Sequence, residues 1–483
     1  MTRMNKAIAA GGCLVVARLL SSCGSEAPTG STASPPRADA AVARIAYADA
    51  KPILAELAGE LPADLKGKSE PELDALWPDW VARHNREVRA RLEHGDEDSI
   101  VNLWLYGTSF TKRPRATERD VARLASRAKT EALLIGRLDD LVAALAAPGA
   151  NERLQFARHV VERHRINITT PPGQDQARQY LVEIRKRMIG ENDRYRRMLA
   201  SAALLNDDTA KLSAYSAVYR DRGLSSDTSL AADFALDQAL DAMSSKRLIA
   251  PGSIRRVAII GPGLDFTDKA EGYDFYPLQT IQPFAIVDSL VRLGLAAGDL
   301  QLTTFDLSPR VNQHLQGARA RAERGDVYVL HLPLDDDSVT RQWRPEFVRY
   351  WERFGGRIGR PIDGVGPPPG MAGLRVRAVA VQPAITLTIA PMDVNIVIER
   401  PAPIADAERF DLIVATNVLV YYDTFDQALA LTNVAAMLKP GGYFLTNYAV
   451  TPRPPMTTAP ALITKVFWDR QNNGDTLLAY QRR

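Results

Sequence analysis

Cysteine is nearly absent from the 483-residue chain, and both copies, Cys13 and Cys23, stand at its extreme N-terminus. The rest of the chain has no thiol with which to form a disulfide, a thiolate zinc site or a cysteine nucleophile. An excess of one charge is missing too: 60 Lys and Arg against 57 Asp and Glu leave a net charge of +3. Nothing in that balance calls for nucleic acid or an anionic surface as partner. No fixed-period repeat runs along the sequence, which excludes a helical solenoid. Histidines number only 6, and His159 and His164 miss the four-residue spacing that puts two ligands on one helix face, so no metal site is expected. What is present is ordinary globular material, 46% hydrophobic and 24% charged, in a chain long enough to bury a sizeable core in two domains.

Long hydrophobic runs are lacking as well. The apolar stretch that follows Arg3 and Lys6 is too short to span a bilayer comfortably, and Arg18 interrupts it. It ends in Leu20-Ser21-Ser22-Cys23-Gly24, which resembles a bacterial lipoprotein lipobox. That resemblance implies a signal sequence over residues 1–23, cleavage before Cys23, lipidation of its sulfur and a membrane-anchored protein. A Ser/Pro-rich tether over residues 24–42 fits the same reading. A cytoplasmic location is the alternative.

Residues 43–248 read as an all-α domain. Segments such as TEALLIGRLDDLVAALAAPG repeat apolar residues at spacings of three and four and are separated by Gly, Pro or Asx signals. The run Arg185, Lys186, Arg187, Arg194, Arg196 and Arg197 reads as a solvated face. Two loops, 105–120 and 219–230, are dense in Arg, Asp, Ser and Thr, the kind of segment that grips substrate at a domain junction or caps helices.

After PGSIRR the pattern changes to strands alternating with helices over residues 250–483, so the fold class is α/β: a Rossmann-like doubly wound sheet preceded by the helical domain. VAIIG is the first strand, and the glycines of GPG allow a tight turn that a ligand approaches closely. QLTTFD is the second strand and ends on Asp306, where an acid accepts hydrogen bonds from ribose hydroxyls. The interval from the glycine turn to that acid is about twice the usual ~20 residues. The insert FTDKAEGYDFYPLQTIQPF accounts for the excess and is expected as a lid. AITLTIAPMDVNIV is expected as a further strand that brings Asp393 to its end. FDLIVAT is then a buried strand, DQALALTNVAAML an amphipathic helix, KPGG its stop and YFLTNY the next strand. The strand ends carrying Gly261, Asp306, Asp393 and Asn417 converge on one edge of such a sheet.

That combination, above all FDLIVATNVLVYYDTFDQALALTNVAAMLKPGG, resembles the Rossmann-like (class I) S-adenosylmethionine-dependent methyltransferases over roughly residues 250–450. The resemblance implies S-adenosyl-L-methionine as cofactor, with Gly261, Pro262, Gly263 and Asp265 around its methionine part. It implies Asp306 and Leu307 at the ribose, Asp393 and Val394 at adenine, and Asn417 and Val418 near the sulfonium. Tyr421, Tyr422 and Tyr273 are the candidates to surround the cationic methyl with aromatic faces. Asp265 stands where the family commonly has a third glycine, and Thr416-Asn417 replaces the Arg-Asn pair of chemotaxis-receptor enzymes. The acceptor, a small molecule or a protein side chain, is not readable. Acidic Asp265, Asp268 and Glu271 or the arginine-rich loops are candidates to select it, and Arg220, Arg222 and Asp227 are expected close to Asp265, Asp268 or Tyr273 over the glycine turn, placing the acceptor site between the domains. Two other readings stay open: an NAD(P)-binding oxidoreductase, and a catalytically silent, lipid-anchored nucleoside-binding module. The second draws on the leader, since an exported enzyme is cut off from a methyl donor made in the cytosol.

Overall fold

Val257 to Ile260 are uncharged and mostly β-branched, and the computed structural model buries all four at the centre of a seven-stranded sheet. The structure describes residues 41–124, 126–203, 223–226, 228, 230–267, 273–335, 342–369, 371 and 373–483. The leader with Cys13 and Cys23, and Arg220, Arg222, Asp227, Asp268 and Glu271, lie outside the described residues.

Strands are numbered in chain order: β1 (Val42–Arg44), β2 (Ile254–Ile260), β3 (Ala296–Asp306), β4 (Tyr328–Asp335), β5 (Gly359–Ile362), β6 (Leu374–Val381), β7 (Ile389–Asp393), β8 (Glu399–Pro401), β9 (Phe410–Ala415), β10 (Leu438–Thr446), β11 (Leu462–Phe467) and β12 (Gly474–Gln481). The helices are α1 (Tyr47–Glu56), α2 (Glu70–Tyr106), α3 (Glu118–Ala122), α4 (Arg127–Ala146), α5 (Glu152–Arg163), α6 (Pro171–Ala203), α7 (Leu230–Ser245), α8 (Gln282–Arg292), α9 (Pro309–Glu323), α10 (Pro345–Arg353), α11 (Pro383–Leu387) and α12 (Thr424–Met437).

The large sheet runs β11-β12-β10-β9-β2-β3-β7. Its strands from β7 to β10 are parallel, whereas β12 lies antiparallel between β10 and β11. From β2 the chain winds outward to β3 and β7 on one side, then returns to β9 and β10 on the other. The strand order therefore reverses between β2 and β9, and the carboxyl ends of those two strands form the crevice in which open α/β sheets bind ligands.

Alternation along β2 sends Val257 and Ile259 to one face and Ala258 and Ile260 to the other. The first face packs on α7 and α8 through residues such as Phe234, Leu240 and Phe284. The second packs on α12 and on α1 and the first half of α2, where Trp77 and Trp80 are almost fully buried and Trp80 meets Phe425 edge-on at 5.5 Å. Each large apolar side chain so buried contributes about 1.5–3 kcal/mol. The N-terminal helices thus close the core of the sheet. The later half of α2 with α4, α5 and α6 builds a further cluster around Leu141, Val161 and Leu181, and Phe266 from the sheet side reaches into it.

Three local expectations are corrected. AITLT is not strand: Pro383, with φ preset for a first helical turn, starts α11, and the strand proper is only β7. KPGG does not stand outside the next strand but lies within β10, where the register shifts between Leu438 and Tyr443 and Gly441 takes φ +80°. The N-terminal segment is not purely helical, since β1 pairs antiparallel with β8. The antiparallel sheet β4-β6-β5, inserted between β3 and β7, was not foreseen.

Candidate active site

Gly261 follows β2 with φ +68°, and its N–H donates to the Phe305 carbonyl of β3 at 2.8 Å. Gly263 takes φ +67°, so both positions favour glycine for conformational reasons. Space gives the same answer: a Cβ on Gly261 would lie 2.6 Å from Val418 Cγ2, and one on Gly263 2.6 Å from the Ser226 carbonyl oxygen. The turn bounds an open cleft at the switch point of the sheet.

Asp306 ends β3 beside the turn. Its Oδ1 accepts from the Ser308 N–H at 2.8 Å, and Asn312 donates to its backbone carbonyl at 2.9 Å. Burial pushes the carboxyl up to about 6, while the N–H groups of Ser308 and Gly263 oppose the rise. Beyond Asp306, towards β7, the wall is apolar, with Leu307, Val394 and Ile396. On the other side Thr416, Asn417, Val418, Tyr421 and Tyr422 form the wall after β9.

Asn417 has φ +58°, an uncommon conformation for a residue with a side chain. A reciprocal pair of hydrogen bonds accompanies it: the Asn417 N–H donates to Asn447 Oδ1, and Asn447 Nδ2 donates to Asn417 Oδ1, each at 2.8 Å. Asn447 Nδ2 also donates to Asp475 Oδ2 at 3.1 Å, fixing the amide orientation from β12. The Arg91 guanidinium of α2 donates to the Tyr421 carbonyl at 2.8 Å, and burial drives the Tyr422 phenol up out of its ordinary range.

The structure therefore brings Gly261, Gly263, Asp306, Leu307, Val394, Asn417, Val418 and Tyr421 to one cleft. Pro262, Asp265, Asp393 and Tyr273 do not line it. The Asp265 carboxylate turns into the core, where it accepts from Tyr276 Oη and Gln279 Nε2, each at 2.8 Å; burial raises its pKa and the nearby Arg153 offsets part of that. Asp393 is half-exposed and bidentate with Arg89 of α2, at 2.7 and 3.1 Å. Tyr273 donates to Asp335 at 3.4 Å beneath the Arg115 guanidinium, 4.5 Å from its ring, and burial pushes its phenol up to about 12. The insert expected as a lid is instead stitched between the helices and β4. Asp274 accepts from the N–H and hydroxyl groups of Thr108 and Ser109, and Tyr276 stacks on His331 at 5.5 Å. Of its described residues only Gln282 reaches the cleft.

Leu92, Leu224, Ser225, Ser226, Thr228, Gln282, Ile396 and Thr416 also line the cleft and were not singled out as cofactor residues. Ser225, Ser226 and Thr228 fall in the polar loop 219–230, so its composition was the available signal. Gln282 and Leu92 carry none, being ordinary helix residues until the sheet sets them in place.

These features define a Rossmann-like α/β protein with an open cleft at the switch point, a glycine turn on its first parallel strand and an acid at the tip of the second. No protein-family model and no curated protein matches the chain. Solved structures it is similar to include the N-methyltransferase NodS from Bradyrhizobium japonicum WM9, at 13% identity and TM-score 0.24, over 51% of this chain and 94% of that one. TrmN from Thermus thermophilus is similar at 13% identity and TM-score 0.26, over 53% of this chain and 52% of that one, about half its length. Magnesium protoporphyrin IX methyltransferase (ChlM) from Synechocystis PCC 6803, solved with bound SAM, shows 10% identity and TM-score 0.24 over 52% of this chain and 80% of that one.

Proposed function

We propose that the chain is an S-adenosylmethionine-dependent methyltransferase whose acceptor enters between the N-terminal helices and the sheet. The observation that carries this reading is the form of the glycine turn. A dinucleotide sheet sets its pyrophosphate on a helix that begins at the glycines. Here the chain after Gly263 runs instead through the Asp265–Gln279 bridge, and α8 starts only at Gln282. The turn offers close approach of backbone without a helix dipole aimed at a diphosphate, which fits a ligand that is cationic and carries no phosphate.

The residues present fit such a ligand. Asp306 accepts from a ribose diol, the apolar Leu307, Val394 and Ile396 suit a purine face, and the space above Gly261 and Gly263 is space a Cβ would fill. When bound, S-adenosylmethionine supplies an electrophilic methyl group, and in-line displacement asks the protein chiefly to position the acceptor and exclude water. Leu92 and Leu224 form the apolar cover, and Tyr421 stands at the end of the cleft past β9, where an aromatic face attracts a cation by about 0.5–2 kcal/mol.

Equilibrium calorimetry on the full chain tests the reading: S-adenosylmethionine should bind with micromolar affinity and NAD⁺ should not. The reverse preference identifies an oxidoreductase. Binding without transfer of labelled methyl to any acceptor in a cell extract identifies the silent module.

A further inference from the structure

Asn417 lines the cleft just past β9, and the residues behind it decide which half of its amide a ligand meets. Asp475 on β12, as a carboxylate, only accepts, so its hydrogen bond of 3.1 Å with Asn447 makes the Asn447 nitrogen the donor and fixes that amide. Asn447 Nδ2 gives its other hydrogen to Asn417 Oδ1, and Asn447 Oδ1 takes the Asn417 N–H, each at 2.8 Å. The carbonyl half of the Asn417 amide is thereby turned to Asn447. Its Nδ2 has no hydrogen-bond partner among the described residues, so what Asn417 offers to the cleft is a donor.

The order of strands says which part of the ligand that donor meets. With ribose at Asp306 on β3 and the apolar side towards β7 left for the base, the 5′ sulfur and its methyl lie towards β9. An N–H group turned to a sulfonium is unfavourable, since both are positive, unless an electron-rich atom lies between them. In methyl transfer that atom is the attacking one. It needs one lone pair for the methyl carbon and another for the Nδ2 hydrogen. Oxygen has both, whereas an amine nitrogen that accepts from Asn417 has no lone pair left for the attack. A proton acceptor is also missing: the titratable side chains that line the cleft, among the described residues, are Asp306, Tyr421 and Tyr422. Asp306 is taken by the ribose, and tyrosines hold their protons near neutrality. The oxygen must therefore arrive already ionised, which a carboxylate with its pKa of about 4 does.

Resting on the methyltransferase reading, we propose that the acceptor is a carboxylate oriented by the Asn417 Nδ2 hydrogen bond, and that the product is a methyl ester. One carboxylate oxygen bonds the methyl carbon as the carbon–sulfur bond breaks. The bonding pair leaves with sulfur, giving S-adenosylhomocysteine, and no proton is transferred.

Incubation of the full chain with methyl-labelled S-adenosylmethionine and an extract of its native cells, then separated into small molecules and protein, tests this. Mild alkali hydrolyses a methyl ester to volatile methanol and leaves methyl ethers and methylamines intact. Label released as methanol is the expected result, and the fraction that releases it distinguishes a free carboxylic acid from a protein side chain. Asn417→Asp keeps the bond from Asn447 and presents an oxygen anion in place of the NH₂ group. Ester formation should then fall at least about tenfold, with affinity for S-adenosylhomocysteine held within about threefold by calorimetry. Asn417→Gly, which tolerates the φ of +58°, should lose ester formation as well. Label that withstands alkali, or an Asn417→Asp variant as fast as wild type, overturns the carboxylate acceptor. Protein that binds S-adenosylhomocysteine but labels nothing overturns it too and identifies the silent module. Protein that does not bind S-adenosylhomocysteine overturns the methyltransferase reading itself.

Discussion

Burial holds the Asp306 carboxyl up at about 6, a cost that the Ser308 and Gly263 N–H groups and Arg310 only partly offset. Ribose hydroxyls donate best to the charged form, so nucleoside affinity should weaken as pH falls through about 6 and level off above it. Asp306→Ala should lower affinity for S-adenosylmethionine about 10- to 150-fold, or about 1.5–3 kcal/mol, the range for hydrogen bonds to a charged group. Calorimetry at pH 5 and pH 8 checks both, since the variant should also lose the pH dependence. Asp233, buried on α7, is held well above its ordinary value of 3.8, first by burial and further by the Asp265 carboxyl, while Gln282 opposes the shift. The folded state keeps a proton that the unfolded chain releases above pH 4, so this group's contribution to stability is lost as pH rises from there towards its folded pKa. Asp233→Asn removes the titration: its Tm should exceed that of wild type at pH 7, and the gap should close near pH 4. Asp306 and the glycines were legible because each stands at the end of an apolar run. Asn447 and Asp475 were not, because their bearing on Asn417 exists only once β10 and β12 lie side by side.

Among the elements, a strap over Gly223, Leu224, Ser225 and Ser226 couples the helices to the glycine turn: the Leu224 N–H donates to the Arg91 carbonyl, and the Leu264 N–H donates to the Ser226 carbonyl. Gly95→Val places methyl groups where the Leu224 carbonyl now sits, 1.9 Å from an added Cβ. The strap must move away from the turn, and affinity for S-adenosylhomocysteine should fall at least tenfold with far-UV circular dichroism nearly unchanged. Retained affinity would show that the strap does not shape the cleft. Elements with a strong period, such as β2, β9 and α12, were readable in outline. AITLT misled because β-branched residues suit a strand while Pro383 sets a helical φ at its start, and in so short a segment the proline prevailed. The β4-β6-β5 sheet was hidden because its strands pair across long intervening segments, so no hairpin turn announced them.

At the scale of the whole molecule, buried arginines bind the helical layer to the sheet. Arg153 of α5, almost fully buried, donates to the backbone carbonyls of Asp265, Phe266 and Tyr276 at 2.5–2.6 Å. Arg153→Leu leaves three buried carbonyls without that donor, each worth about 1–3 kcal/mol, so stability measured by urea unfolding should fall by at least about 3 kcal/mol. A loss below 1 kcal/mol would mean the layer is only loosely attached. The same packing places Leu92 and Leu224 over the cleft, an arrangement the composition of the helices did not disclose.

An adenosyl ligand at the switch point between β2 and β9 is tested most directly by diffraction from crystals of the full chain grown with S-adenosylhomocysteine. Ligand density is expected with the ribose hydroxyls within about 3 Å of the Asp306 carboxylate, the base against Val394 and Ile396, and the 5′ sulfur above Gly261. An empty cleft at saturating ligand, or density elsewhere on the molecule, would contradict it.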